Sequence, residues 1–251
     1  MAKNEVTTVK ETNPVVAPSA DLMVEVAQED MIIPFLKVIQ SLSEEVMPGK
    51  DKYNPDVRPG DIYDGATKTI FKDAKVLVCG LKKYYTEWTP EVRGKIVGKH
   101  LANSDVVLTA VRTEKKTEKG NVFYDLSTPD GNQLVETYGV VMIIKNGDGT
   151  VIPGVLTLSK TSFMVGKQLS TMLNLKQHQG VPVFAMGTTS VSNSKGSWFK
   201  PMFTFAEYET DPEIIDTFRS MMGCVDAILF KNDGDPDAAP AKADDDDDTL
   251  F

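Results

Sequence analysis

The 251-residue chain is poor in the residues that most often carry catalysis or hold metals. It has two cysteines and two histidines. Cys79 and Cys224 sit in apolar runs with no CxxC spacing, which argues against a disulfide framework and fits a reducing compartment. His100 (in GKHLANS) and His178 (in LKQHQG) stand in polar, turn-like contexts, and no pair of ligands has metal spacing. Neither GxxxxGK[ST] nor GxGxxG occurs. No compact carboxylate cluster lies within the part expected to fold. These absences point to a non-enzyme with no cofactor and no metal. The longest pure apolar run, Val140 to Ile144, is far too short to span a bilayer, and MAKNEVTTVKETNPVV lacks an apolar signal core. No membrane association is expected.

The charge is uneven. The net charge is −9, but residues 60–205 hold 18 basic and 12 acidic side chains, whereas residues 232–251 hold one and eight. A basic centre is thus hidden behind an acidic end.

Hydrophobic periodicity divides the chain into an arm, a folded region and a tail. Residues 1–30 read as a flexible N-terminal arm, polar and non-periodic. Residues 31–231 read as one domain. The spacing of Phe35, Leu36, Ile39, Leu42 and Val46 predicts a helix from Ile32 to Val46, with Pro34 in its first turn. The centre reads as strands: AKVLVCGLKKYYTEW, SDVVLTAVRT, NVFYDLS, QLVETYGVVMII, VIPGVLTLS, VPVFAMGTTSVS and SWFKPMFTFAEY. STPDGNQ, KNGDGT and NSKG supply the turns, and RTEKKTEKG reads as a charged hairpin tip. Val165, Leu169, Met172 and Leu173 mark a helix within residues 162–177. Asp211 as N-cap and Pro212 as first residue open a second helix over 211–230. The fold class is therefore mainly β with flanking helices. The order of elements suits an OB-fold-like Greek-key barrel with insertions, and other small barrels as well. The amphipathic helix at 211–230 would serve equally against its own barrel or in a homodimer. Residues 232–251 hold no core-forming side chain before the last two and read as a disordered acidic tail.

Two segments interleave rings with cations. One places Lys82, Lys83, Tyr84, Tyr85 and Trp88 together, followed by Arg93 and Lys95. The other is Lys195, Trp198, Phe199 and Lys200. Cations that track phosphates and flat rings that stack on unpaired bases are what sequence-neutral single-strand binding requires. Two successive tyrosines on a strand point to opposite faces, so at least one is expected to face outward. Aromatic residues in strands are also common in cores.

The end of the chain is chemically specific. Asp244, Asp245, Asp246, Asp247 and Asp248 precede Thr249, Leu250 and Phe251. A solubility tail needs no terminal ring. An acidic run capped by an aromatic suits a docking peptide, the ring and α-carboxylate entering a pocket with a basic rim. This ending resembles the C-terminus of bacterial and phage single-stranded DNA-binding proteins, typically Asp-Asp-Asp-Ile-Pro-Phe in bacteria. Asp246 to Asp248 and Phe251 match, while Thr249 and Leu250 depart. IIPFLKVIQSLSEEV, RPGDIYD and KKYYTEW are similar to segments of the phage-encoded versions. The resemblance implies an OB-fold core, single-stranded DNA as ligand in phage replication or recombination, and a host-cytoplasm location. It also implies a tail that docks replication proteins such as a DNA polymerase or helicase-primase. An acidic-tailed scaffold or chaperone-like assembly protein is the alternative.

Overall fold

A computed structural model describes residues 33–231, apart from 92–93, 117–119, 121, 148–149 and 194–195. The chain divides after Ile32, and the unit beginning at Ile33 is the one described. The expected arm (1–30) and tail (232–251, with Asp244 to Asp248 and Phe251), together with Arg93 and Lys195, lie outside the described residues.

The strands are β1 (Phe35–Val38), β2 (Ile62–Asp64), β3 (Thr69–Phe71), β4 (Lys75–Trp88), β5 (Ile96–His100), β6 (Val111–Lys116), β7 (Val122–Ser127), β8 (Gln133–Lys145), β9 (Val151–Ser159), β10 (Pro182–Asn193) and β11 (Gly196–Tyr208). The helices are α1 (Asp105–Leu108), α2 (Phe163–Lys176), α3 (Pro212–Met222) and α4 (Val225–Lys231). All the strands belong to one sheet, ordered β11-β10-β4-β8-β9-β1-β2-β3, with β5 on β4 and the β6–β7 hairpin on β8. Within it, β4, β8, β9, β10 and β11 form a Greek key with α2 between its third and fourth strands, as in an OB-type barrel. The mainly β, barrel-like architecture with flanking helices expected from the sequence is the one found.

The sheet curls without closing by strand pairing. In place of a ladder between β9 and β11, β1 runs parallel to β9, pairing Phe35 with Val155 and Leu36 with Leu156. Two residues beyond the end of β1, Gln40 then reaches across to β11. Its Nε2 donates to the Phe199 carbonyl at 2.9 Å, and the Phe199 N–H donates to its Oε1 at 2.9 Å. One side-chain amide thus completes both hydrogen bonds that a neighbouring strand would make. Thr188 Oγ1 donates to the Gly60 carbonyl at 2.6 Å alongside.

Alternation along the strands splits the core into two layers. The enclosed face gathers Leu36, Val76, Val140, Met142, Leu156, Phe184 and Phe203 from both ends of the sheet, against Val165 and Leu169 of α2. The outer face presents Leu77, Cys79, Val141, Ile143 and Val155 to Val225, Ile228 and Leu229 of α4, flanked by Ile214 and Phe218 of α3. Each such aliphatic side chain, fully buried, contributes about 1.5–3 kcal/mol. Gly80 permits the approach: a Cβ there would stand 2.5 Å from both Val225 methyl carbons.

Three expectations are corrected. The helix expected from Ile32 to Val46 does not form over residues 33–46: residues 35–38 are a strand and only Glu44–Val46 makes a turn of 3-10 helix. Leu36 packs into the enclosed layer and Phe35 against the outer one, and a strand apolar on both faces reads like a helix segment. The first half of SDVVLTAVRT is α1, because the Ser104 side chain caps the Val107 N–H. The 211–230 helix is two helices. Its Asp211 cap forms as expected, accepting from the Glu213 N–H at 2.9 Å, but the chain turns at Gly223 so that α4 can lie on the sheet.

Candidate nucleic-acid interface

β4 is longer than the core needs, and its second half carries the first ring-and-cation segment. Odd and even positions part company there. Lys82 turns to the outer face and pairs with Asp226 of α4 at 3.1 Å. Tyr84 follows it into the outer layer, 1% exposed, its ring edge-on to Phe230 at 5.4 Å. Burial pushes the Tyr84 hydroxyl up to about 12. Tyr85 points to the enclosed side and is also buried, at 9% exposure. The expectation that one tyrosine stands clear is thereby corrected. α4 covers one face of β4, and polar partners pack over the other.

Those partners form a rim at the mouth of the barrel. Lys83 Nζ lies 2.6 Å from Glu136 Oε1, and the Tyr85 hydroxyl donates to the same oxygen at 3.1 Å. Burial lowers the affinity of Lys83 for its proton, but the hydrogen bond and charge of Glu136 outweigh it, so its pKa stands above the ordinary lysine value. Burial and the Glu136 charge raise that of Tyr85. Next to this network, the rings of Tyr138 on β8 and Phe163 at the start of α2 stack at 4.9 Å and 33°. Lys83 and Lys167 hold their ammonium groups 5.7 Å and 5.2 Å from the Phe163 ring centre. Further out on the rim, Glu87 accepts from Asn132 Nδ2 at 2.7 Å and meets His100 Nε2 at 2.6 Å, which ties the β7–β8 turn and β5 to β4.

Two further features flank the rim. The β6–β7 hairpin is rooted on β8 through Leu126 opposite Leu134. It projects with Arg112, Lys115 and Lys116 all exposed and Tyr124 58% exposed. On the other side, the turn Lys160–Ser162 leads into α2, and the Ser162 side chain makes no capping bond. Exposed Lys160 there adopts a left-handed backbone, φ 49°. The Phe163 N–H bonds back to the Lys160 carbonyl, and a helix start beside a lysine favours anions.

The second ring-and-cation segment lies elsewhere, along the open seam. Trp198 and Phe199 line a cleft of about 450 Å³ with Leu36, Lys37, Leu156 and Pro201, and Thr161 and Ser162 form its edge toward the rim. Trp88 and Lys200 are half-buried, and Lys95 is exposed with its N–H on Thr89 Oγ1 at 2.9 Å. The structure therefore brings Lys83 and Tyr85 together, sends Lys82 and Tyr84 to the opposite face, and places Trp198 and Phe199 around the seam. Sequence reasoning missed Tyr138, Phe163 and Lys167. An aromatic and a lysine four residues apart on a helix share one face, and that spacing was the available signal.

No group of three or more His, Cys, Asp or Glu side chains among the described residues is placed to hold a metal. No helix among them is long and apolar enough to cross a membrane. Fold and surface together define a barrel-like β protein with an open rim of rings and cations. The chain belongs to the Pam3 phage gp34-like protein family, which it matches over residues 21–227, and is a phage protein. That match stops short of the aspartate run. No curated protein and no solved structure matches the chain.

Proposed function

We propose that this protein binds single-stranded DNA without sequence preference, in phage replication or recombination, by binding alone and without turnover. One observation carries the reading. The Tyr138–Phe163 stack, with Lys83 and Lys167 beside it, sits at the uncapped start of α2 on an OB-type barrel that also carries an exposed basic hairpin. Rings that accept any base and cations that follow the backbone give affinity without a base code. The face that OB barrels commonly use, over the second and third strands, lies partly under α3 and α4 here, which directs the ligand to the rim.

The tail completes the proposal. At one basic and eight acidic residues it competes with DNA for the basic surface. Once displaced by DNA, it offers Asp244 to Asp248 and Phe251 to a polymerase or helicase-primase in the host cytoplasm. The test is binding of labelled oligo-dT by wild type and by Phe163→Ala. Loss of one stacked base costs about 1–3 kcal/mol, a fall of about five- to 150-fold. Unchanged affinity removes the rim from the interface. Preference for duplex DNA, or no DNA binding, points instead to an assembly scaffold.

A further inference from the structure

The outer face of the sheet carries a cleft of about 470 Å³ between α4 and the residue that follows β5. Ala227 and Phe230 of α4 line it together with Leu101, and its two charged residues, Lys82 and Asp226, are paired with each other at 3.1 Å. Leu101 is 47% exposed, a large apolar side chain left to water, and Ala227 is exposed as well. Phe230 is half-buried, its ring edge-on to Tyr84. A cleft whose one ion pair is already satisfied has little to orient a polar ligand; it suits an apolar side chain.

The course of the chain names an occupant. α4 ends at Lys231, one residue after Phe230, so residues 232–251 depart from the wall of the cleft itself. Within that segment the only large apolar side chains are Leu250 and Phe251, and Asp244 to Asp248 stand just before them. At about 3.3–3.6 Å per extended residue, the segment is far longer than a return to the cleft requires. Tethering supplies an effective concentration of about millimolar order, so a contact too weak between separate molecules is populated within one chain. Charge agrees. Lys99 lays its ammonium on the Leu229 carbonyl at 2.8 Å, so two lysines stand by the cleft against the single aspartate of its lining.

We infer that this cleft holds the Phe251 ring of its own chain against Phe230, with Leu250 beside Leu101 and the aspartates directed toward Lys82 and Lys99. The inference deepens the proposed role of the tail. The side chains offered to a replication protein rest on the outer face, away from the rim, until that partner takes them.

Phe251→p-benzoylphenylalanine in the full chain puts a photoreactive ring at the position in question. Irradiated in dilute solution without DNA, it is expected to form adducts within one chain to Leu101, Ala227 or Phe230, mapped by mass spectrometry. Ala227→Glu, added to the same chain, brings bulk and charge into the cleft from an exposed position. It should cut those adducts by about fivefold or more with the thermal midpoint unchanged, because a carboxylate is costly to bury beside an apolar ring. Adducts that map to the rim or to the seam around Phe199, adducts only between two chains, or no adducts overturn the inference, as does a yield indifferent to Ala227→Glu. Oligo-dT binding is measured on the same protein. If it persists while the adducts fail, the resting site alone falls; if the adducts form and oligo-dT does not bind, the resting site stands and the DNA reading falls.

Discussion

Gln40 replaces a missing strand pairing, so its amide should matter more than a half-exposed glutamine normally does. Gln40→Ala removes two seam hydrogen bonds of 2.9 Å to Phe199 and a third, at 3.2 Å, to the Val38 carbonyl. It also leaves the Phe199 N–H and C=O without their partner. At about 1 kcal/mol net for each bond, with a penalty for stranded backbone groups, the expected loss is about 3–4 kcal/mol. For a domain of this size that lowers the thermal midpoint by about 6–16 °C. Gln40→Glu sharpens the test. At pH 7 the introduced carboxylate can accept from the Phe199 N–H but faces two carbonyl oxygens with no proton to donate. Protonated, it regains one donor and one acceptor. Its folded-state pKa is therefore raised above the unfolded value of about 4.3. The deficit relative to wild type is full at pH 7 and shrinks as pH falls through that raised pKa. Thermal melts of the three proteins between pH 7 and pH 4.5 measure this. Midpoints within about 1 °C of wild type, or a Gln40→Glu deficit independent of pH, would show that the seam does not depend on this amide.

Other outcomes follow from single sites. Glu209 is nearly buried, meets Lys145 at 2.6 Å and accepts from the backbone N–H groups of Thr210 and Asp211. Burial raises its pKa, but these partners outweigh it and hold the carboxyl below its ordinary value. Its contribution is thus present above the ordinary carboxylate range and lost as pH falls through the lowered pKa. Urea unfolding from pH 7 to pH 3 should show wild type losing stability more steeply than Glu209→Gln, and parallel curves would contradict this. Burial under α4 pushes the Cys79 thiol up to about 12, so iodoacetamide at pH 8 should leave it unmodified until urea is added, as read by mass spectrometry. Rapid native alkylation would mean that α4 is not seated. Gly166→Ala gains about 1 kcal/mol of helix propensity, but its Cβ would stand 2.7 Å from Tyr138 Cγ and 3.0 Å from its Cβ. The net expectation is a loss of about 1–2 kcal/mol in stability and a weaker rim, seen in melts and oligo-dT titrations.

Much of the fold is legible in the sequence because its long strands are rich in β-branched and aromatic residues between clear turn signals, and its main helices carry local marks. Asp211 and Pro212 mark α3, and Val165 and Leu169 mark the buried stripe of α2. Two of the failures share a physical source, which is burial on two sides. β1 lies between two packed layers and shows no period of two. Tyr84 sits where α4 returns over the sheet, a contact 146 residues away in sequence that no local pattern announces. The rim was half legible for the same reason. Lys83 and Tyr85 stand in the segment singled out for its chemistry, but Tyr138, Phe163 and Lys167 join them only through the β8 register and the docking of α2.

The central claim is that the rim of Lys83, Tyr138, Phe163 and Lys167 holds single-stranded DNA. Anisotropy of dye-labelled oligo-dT against the equally long duplex, titrated with the full chain and with Lys83→Ala/Phe163→Ala, tests it most directly. The account predicts that wild type prefers the single strand, with affinity falling as salt rises, and that the double variant loses at least tenfold while keeping its thermal midpoint within a few degrees. Equal affinity for single strand and duplex, or a double variant that binds oligo-dT like wild type, would contradict it.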